Sequence, residues 1–186
     1  MNENITTSNR ISTKTLVLIA LMTAITCILA PLSIPIPISP VPITLTNLVL
    51  YFSIYLLGWK KATISYIVYL LLGIVGLPVF SGFSGGLGKA FGPTGGYLIG
   101  FLFITVISGI FIEKFQKNIW LCILGMVLGL AICYIIGTFW LAGQLDMTFV
   151  AALGVGVLPY LLGDAVKIAL AALIAPQIKK RVNALS

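Results

Sequence analysis

An acid and a base lie three residues apart near the carboxyl end of the chain, inside an otherwise apolar run. They are Asp164 and Lys167, and residues at this spacing share one face of a helix. A charge at the centre of a membrane helix costs roughly 2.5–3.5 kcal/mol, and two opposite charges in contact neutralise each other. The pair either fixes packing alone or serves a ligand. We favour a ligand site because ionisable residues in apolar spans are mostly functional.

A second candidate site is rich in glycine, which makes up eight of the nineteen residues from Gly82 to Gly100. Backbone of this kind does not stay helical in lipid and lies in water, against protein or along a cavity. Glycine also lets backbone approach a ligand closely and leaves its N–H groups accessible. A lid over a cavity and a plain external loop both fit. Lys89 is followed by Ala90, which does not match a phosphate-binding loop.

A third feature is a pair of small residues, Ala20 and Ala24, in the first apolar run. Small residues four apart let another helix come close. The spacing fits packing within the bundle and contact with a partner protein equally well.

Metal, redox and enzyme chemistry have little support. The chain has no His, and its three cysteines, Cys27, Cys122 and Cys133, lie in apolar runs. Zinc and redox sites need clusters of these residue types, so we expect no metal, no cofactor and inert, buried thiols. No nucleophile–base pair is visible, so a membrane enzyme is the least supported function.

Composition makes lipid the expected solvent for most of the chain. Hydrophobic residues make up 60% of the 186 residues and charged residues 8%, whereas soluble domains carry about 25% charged residues. The net charge is +7. The basic residues form short clusters between apolar runs, as in loops beside anionic lipid, so nucleic acid is not an expected partner.

Charges and prolines divide the chain into six predicted membrane helices. The 45 residues from Thr15 to Trp59 carry no charge, enough for two spans of about 20 residues, and five prolines between Pro31 and Pro42 separate them. We expect an all-α bundle that forms a single integral membrane domain over residues 1–186. The predicted helices cover residues 15–31, 43–58, 62–77, 97–112, 119–141 and 156–175, with an extracellular glycine-rich loop at 77–96.

The basic residues also predict the orientation. Nine of the eleven fall in loops on one side of this arrangement, and the other side has only Lys89. Loops rich in Lys and Arg stay in the cytoplasm. We therefore expect a multi-pass protein of the cell membrane with both termini in the cytoplasm.

At these motifs the chain resembles the BioY family, the biotin-binding S components of energy-coupling factor (ECF) transporters. The resemblance covers essentially the whole chain. Its most specific parts are residues 92–97 (Gly-Pro-Thr-Gly-Gly-Tyr) and 163–167 (Gly-Asp-Ala-Val-Lys), and the segment that begins at Pro40 also matches.

The resemblance implies a six-helix membrane protein that binds biotin with high affinity outside and delivers it inward. It also implies a transmembrane T component and two cytoplasmic ATPases as partners, with Ala20 and Ala24 matching the motif that contacts the T component. The chain departs from the family where Thr46 and Asn47 replace a usual Gln-Thr, and where Tyr160 replaces a usual Phe.

For biotin we expect a cavity capped by residues 77–97, with the last helix as one wall. Asp164 would accept hydrogen bonds from ureido N–H groups, while Lys167 would keep it ionised and donate to the ureido oxygen. Residues three apart on a helix are separated by only about 5–6 Å, so the ligand carboxylate needs Lys89, assisted by glycine N–H groups. The remaining candidate binding residues are Asn47, Phe80, Ser84, Gly85, Gly86, Thr94, Tyr97 and Tyr160, with Phe83 and Phe91 as further aromatic walls.

Two rival functions fit the same residues. An S component for another vitamin would keep the fold and the coupling, and a ligand screen by thermal shift would identify it. A proton-coupled secondary transporter would use Asp164 as its proton site. Its uptake would follow the pH gradient and need no ATPase.

Overall fold

The computed structural model describes residues 12–184, most of them in helices. A π-helical turn covers Ile104–Ser108, and a 3-10 turn covers Leu158–Tyr160. In chain order the elements are α1 (Thr13–Leu29), β1 (Ser33–Ile36), β2 (Ser39–Thr44), α2 (Thr46–Leu57), α3 (Trp59–Val75), α4 (Leu87–Ala90), α5 (Gly95–Lys114), α6 (Ile119–Gln144), α7 (Phe149–Gly156) and α8 (Leu161–Ala184).

Three helical stretches in the described chain are long and apolar enough to cross a membrane. They are Gly95–Lys114, Ile119–Gln144 and Phe149–Val182. The helices α1 and α2 are apolar but shorter, and α3 has 17 residues. Apolar side chains are widely exposed on the outside of the bundle, including Val75 at 84% and Leu162 at 80%. An apolar surface of this extent is typical of contact with a membrane.

The predicted all-α class is confirmed, and the six predicted spans correspond to α1, α2, α3, α5, α6 and the joined α7–α8. The first five predicted spans are displaced by no more than three residues at either end. The predicted bounds of the last span, 156 and 175, are wrong. The helix begins at Phe149, where the Thr148 side chain caps it by accepting from the Ala151 N–H at 3.3 Å. It continues to Ala184 because Pro176 lies within α8 without ending it.

The proline-rich break between α1 and α2 forms an antiparallel hairpin, which the all-α prediction did not include. Ser33 pairs with Thr44, and Ile36 pairs with Ser39. A two-stranded hairpin consists of edge strands alone, where proline is tolerated although it lacks an N–H group. Since β2 ends at Thr44 and α2 begins at Thr46, the hairpin stands directly on the amino end of α2.

At the opposite end of α2, Gly58 and Glu113 connect α2, α3 and α5 closely. Gly58 alone separates α2 from α3 and has φ of +79°, a conformation that glycine adopts without strain. Glu113, in the last turn of α5, accepts a hydrogen bond from the Trp59 backbone N–H at 3.0 Å. A carboxylate at a helix amino end is stabilising, so this contact fixes α5 against the start of α3.

Other glycines set the separation between α5 and α6. A Cβ atom at Gly96 would lie 2.3 Å from the Cβ of Trp140, and one at Gly100 would lie 2.8 Å from the Cα of Cys133. Both distances are shorter than a van der Waals contact, so any side chain here would push the helices apart. These two glycines therefore serve helix packing.

We expect Gly96→Ala to destabilise the protein by about 1–3 kcal/mol, the usual cost of overpacking a tight core. The measurement is thermal unfolding of the purified protein in detergent. Gly143→Ala is the matched control, since Gly143 also lies in a helix and a Cβ atom there would meet no atom within 4 Å. The control should be as stable as the wild type or slightly more so. Equal unfolding temperatures for Gly96→Ala and the control would contradict the packing role.

Candidate functional site

A cavity lies among β2 and the helices α2 to α8, beside the glycine-rich segment that joins α3 to α5. The centre of a water molecule can occupy about 70 Å³ of this cavity. That is several times the roughly 10–15 Å³ that one water needs. Aromatic and aliphatic side chains form much of the wall, and polar side chains converge where α2, α6 and α8 meet. Such a combination is typical of sites for small molecules.

Asp164 and Lys167 line this cavity from the first turns of α8. Lys167 Nζ is 2.8 Å from Asp164 Oδ1, the contact that their spacing predicts. Lys167 also donates to the carbonyl oxygen of Thr44, at the end of β2, at 2.6 Å. Side-chain exposure is only 11% for Lys167 and 9% for Asp164, so the ion pair is enclosed by protein.

The Asp164 carboxylate receives two further hydrogen bonds from other helices. Asn47 Nδ2, in the first turn of α2, donates to Oδ1 at 2.9 Å, and the Tyr134 hydroxyl, on α6, donates to Oδ2 at 2.5 Å. A buried charge is costly unless it is paired and hydrogen-bonded. The carboxylate therefore fixes three helices relative to one another at the polar end of the cavity.

Tyr160 holds the hairpin against the turn that precedes α8. Its hydroxyl oxygen lies 2.7 Å from Ser39 Oγ and also hydrogen-bonds the carbonyl oxygen of Val41. Together with the contact between Lys167 and Thr44, these bonds attach β2 to residues that line the cavity. The position of the hairpin thus determines one side of the site.

Lys89, on the short helix α4, lies where this cavity meets a second, more open one. Four serines of the hairpin and the glycine-rich segment line the outer cavity, which also reaches Lys89. Burial lowers the pKa of the Lys89 ammonium group. Within residues 12–184 the one ion pair is that on α8, so Lys89 brings a positive charge to the wall of the cavity without a carboxylate partner in the described chain.

Eight of the eleven candidate binding residues line the cavity, and three do not. Ser84 lines the outer cavity. Gly85 packs on the end of α3, where a Cβ atom would lie 2.2 Å from the carbonyl oxygen of Leu77, and the Gly86 N–H donates to the carbonyl of Gly73 at 2.7 Å. The eight lining residues are Asn47, Phe80, Lys89, Thr94, Tyr97, Tyr160, Asp164 and Lys167.

The two further aromatic candidates are placed elsewhere. Phe83 is 65% exposed and Phe91 is 60% exposed, and neither is among the residues that line the cavity. Their side chains lie on the outer surface of the glycine-rich segment. The aromatic wall is completed by Tyr69, on α3, and Phe101, on α5.

Sequence reasoning missed Tyr134, the uncharged side chain with the shortest bond to Asp164 in the described chain. Its hydroxyl sits in the long apolar run of α6, and a buried tyrosine hydroxyl usually finds a hydrogen-bond partner. That was the available signal. The other cavity residues that were not predicted are Val41, Pro42, Thr44, Thr46, Tyr69, Ser81, Leu98, Phe101, Leu130, Cys133 and Gly156.

Ala20 and Ala24 lie on the exposed face of α1. The opposite face of α1 packs on α3, where Thr23 Oγ1 is 2.9 Å from Ser65 Oγ. Among the described residues the two alanines thus leave a shallow, apolar strip on the outside of the bundle.

Comparison with known proteins gives consistent matches over nearly the whole chain. The model of the BioY family matches residues 1–184. A biotin transporter BioY from Thermotoga maritima is 42% identical over 147 residues, which are 79% of this chain and 86% of that protein. A probable biotin transporter BioY from Pyrococcus horikoshii is 39% identical over 162 residues, which are 87% of this chain and 94% of that protein.

A solved structure extends the similarity to the fold. The crystal structure of the S-component for biotin from an ECF-type ABC transporter matches with a TM-score of 0.84 and 34% identity. The match covers 92% of this chain and 95% of that one. On the family match, the identities and the shared fold, this multi-pass membrane protein belongs to the BioY family.

Proposed function

We propose that this protein is the S component of an ECF-type importer, which binds biotin outside the cell and delivers it inward. The observation that carries the proposal is the cavity whose polar end is the Asp164–Lys167 pair. The relatives named as biotin transporters and the fold of the biotin S-component support biotin as the ligand. The family is one of transport proteins and not of enzymes.

The polar end of the cavity suits the ureido ring of biotin. Asp164 accepts a hydrogen bond from a ureido N–H, and Lys167 donates to the ureido oxygen. Hydrogen bonds that involve a charged group are the strong ones, and both groups are held rigidly by their neighbours. Binding energy is therefore not spent on ordering these side chains.

The ligand carboxylate binds at Lys89. The Asp164–Lys167 pair is already neutral, whereas Lys89 adds a positive charge where the two cavities meet. Between the α8 pair and Lys89 the wall is largely apolar, with Phe80, Tyr97 and Tyr160 among its members, and it accommodates the bicyclic ring and the aliphatic chain of biotin. Thr94 and Asn47 complete the predicted binding set.

Coupling to energy requires other subunits. We propose that a transmembrane T component packs on the exposed strip formed by Ala20 and Ala24, and that two cytoplasmic ATPases drive the cycle. Small residues four apart allow close helix contact, and α1 leaves this strip uncovered by the rest of the described chain. The clustering of basic residues away from Lys89 supports cytoplasmic termini and an outward-facing glycine-rich segment.

Replacing the central acid tests the proposal directly. We expect Asp164→Asn to weaken biotin binding at least about tenfold, because a hydrogen bond to a charged group contributes about 1.5–3 kcal/mol and 1.4 kcal/mol is a factor of ten. Isothermal titration of the purified variant gives the affinity. Asp146→Asn, at an acid outside the cavity in the α6–α7 loop, is the matched control and should bind as the wild type does.

Thermal unfolding in detergent must accompany that titration, since Asn leaves the Lys167 ammonium without its counter-charge. A folded Asp164→Asn protein with wild-type affinity would refute the role of the α8 pair. A folded wild-type protein that fails to bind biotin would refute the choice of ligand.

The assignment of Lys89 predicts selectivity for the ligand charge. We expect Lys89→Ala to weaken biotin about tenfold while leaving the affinity for neutral biotin amide nearly unchanged, because only the carboxylate form gains from the ammonium group. Affinities for both ligands are measured on the same preparation, and Lys89→Arg should retain most of the selectivity. Equal losses for biotin and its amide would place the carboxylate elsewhere, with Lys167 as the next candidate.

The proposed partner surface is tested by a bulky substitution. We expect Ala20→Trp to bind biotin normally and to lose association with the T component, because the indole ring prevents close helix contact. Co-purification with a tagged T component measures the association. Ala169→Trp is the matched control, since Ala169 is exposed on α8, and it should still assemble. Assembly of both variants would contradict the α1 contact.

A further inference from the structure

The number of positions at which Asp164 can accept a hydrogen bond limits how many N–H groups of a ligand it can bind. A carboxylate offers about four lone-pair positions, two on each oxygen. Oδ1 accepts from Asn47 Nδ2 at 2.9 Å and from Lys167 Nζ at 2.8 Å. Oδ2 accepts from the Tyr134 hydroxyl at 2.5 Å. Among the bonds made by residues 12–184, one position, on Oδ2, therefore remains for a ligand in the cavity.

The same count applies to the donors of Lys167. An ammonium group carries three N–H bonds. One meets Asp164 Oδ1 and a second meets the carbonyl oxygen of Thr44 at 2.6 Å. The described part of the chain leaves a single N–H for a ligand, so the ion pair offers one acceptor and one donor side by side.

We propose that Asn47 and Tyr134 determine the specificity of this site, because they occupy the other acceptor positions on the Asp164 carboxylate. The Asp164–Lys167 pair then hydrogen-bonds to only one edge of a cyclic urea, where a single N–H group lies beside the carbonyl. The inference rests on biotin being the ligand. Its ureido ring has two N–H groups that flank one carbonyl, so either edge presents a donor next to an acceptor. Asp164 and Lys167 match one edge, and the second N–H contributes nothing through Asp164.

A ligand does not readily displace the hydrogen bonds that Asn47 and Tyr134 donate to Asp164. Asn47 is 3% exposed, and its Oδ1 accepts from the Leu48 N–H at 3.1 Å, so both ends of the amide are bonded. Tyr134 is held on the long helix α6. A ligand that displaced either donor would leave a buried polar group without a partner, which is unfavourable. The two residues thus position the carboxylate and restrict what it accepts.

The test uses biotin and two analogues in which one or the other ureido N–H is replaced by a ring oxygen. The replacement preserves the shape and converts a donor into an acceptor. We expect the wild-type protein to bind one analogue within about threefold of biotin and the other at least about thirtyfold more weakly, because an acceptor facing the carboxylate meets the remaining position on Asp164 Oδ2 without a donor. Similar affinities for the two analogues, whether both strong or both weak, would overturn the proposal.

Tyr134→Phe examines the positioning role. It opens a second position on Oδ2, so the ratio of affinities for the two analogues should fall by about tenfold or more while biotin still binds. A residue that only supported the fold would weaken all three ligands by the same factor and leave the ratio unchanged. That outcome would count against the role of Tyr134.

Tyr51→Phe is the matched control for this ratio. Tyr51 is buried on α2, but its hydroxyl donates to the carbonyl oxygen of Met126 and makes no hydrogen bond to Asp164. Asn47→Leu, which opens a position on Oδ1, should lower the ratio as Tyr134→Phe does. Failure of the wild-type protein to bind biotin at all would instead refute the proposed function, which distinguishes the two conclusions.

Discussion

The buried carboxylate of Asp164 is the constraint on which the arrangement of the bundle depends. A carboxylate enclosed by protein inside a membrane domain is tolerated only when its charge is balanced and its oxygens are bonded. One partner, Lys167, lies on the same helix, but Asn47 and Tyr134 come from α2 and α6. Forming all the hydrogen bonds of this one carboxylate therefore requires three helices to meet at one point, and that point is the polar end of the cavity.

The remainder of the cavity follows from backbone that departs from regular helix. The proline-rich hairpin reaches the ion pair through the carbonyl of Thr44 and is held a second time by Tyr160. Glycines act on the other side, where Gly85 lets the chain pass close to the end of α3 and Gly96 lets α5 approach α6. Both irregular segments thus shape the cavity without contributing charged groups to its polar end.

The sequence predicted what depends on local spacing. The contact of Asp164 with Lys167 follows from three residues of separation, and the spans follow from the intervals between charges. It did not predict that Tyr134 would reach Asp164, because that contact joins two different helices, or that Thr44 would reach Lys167 across 123 positions of the chain. It also did not predict the hairpin, since a high density of prolines marks where a helix stops but does not indicate that the segment between two helices forms paired strands.

Under the proposed assignment of the site, the charge balance of the cavity favours a ligand with a neutral head and an anionic tail. The α8 pair is neutral by itself, so it adds no uncompensated charge to the polar end of the cavity. Lys89 adds one positive charge in the partly buried wall, where solvation is incomplete and its pKa is lowered. A cationic ligand would add to that charge, and a neutral one would leave it as it is. A monoanion that presents a neutral urea to α8 and its carboxylate to Lys89 brings the whole cavity to electroneutrality, which is the state of lowest cost in a low-dielectric surrounding.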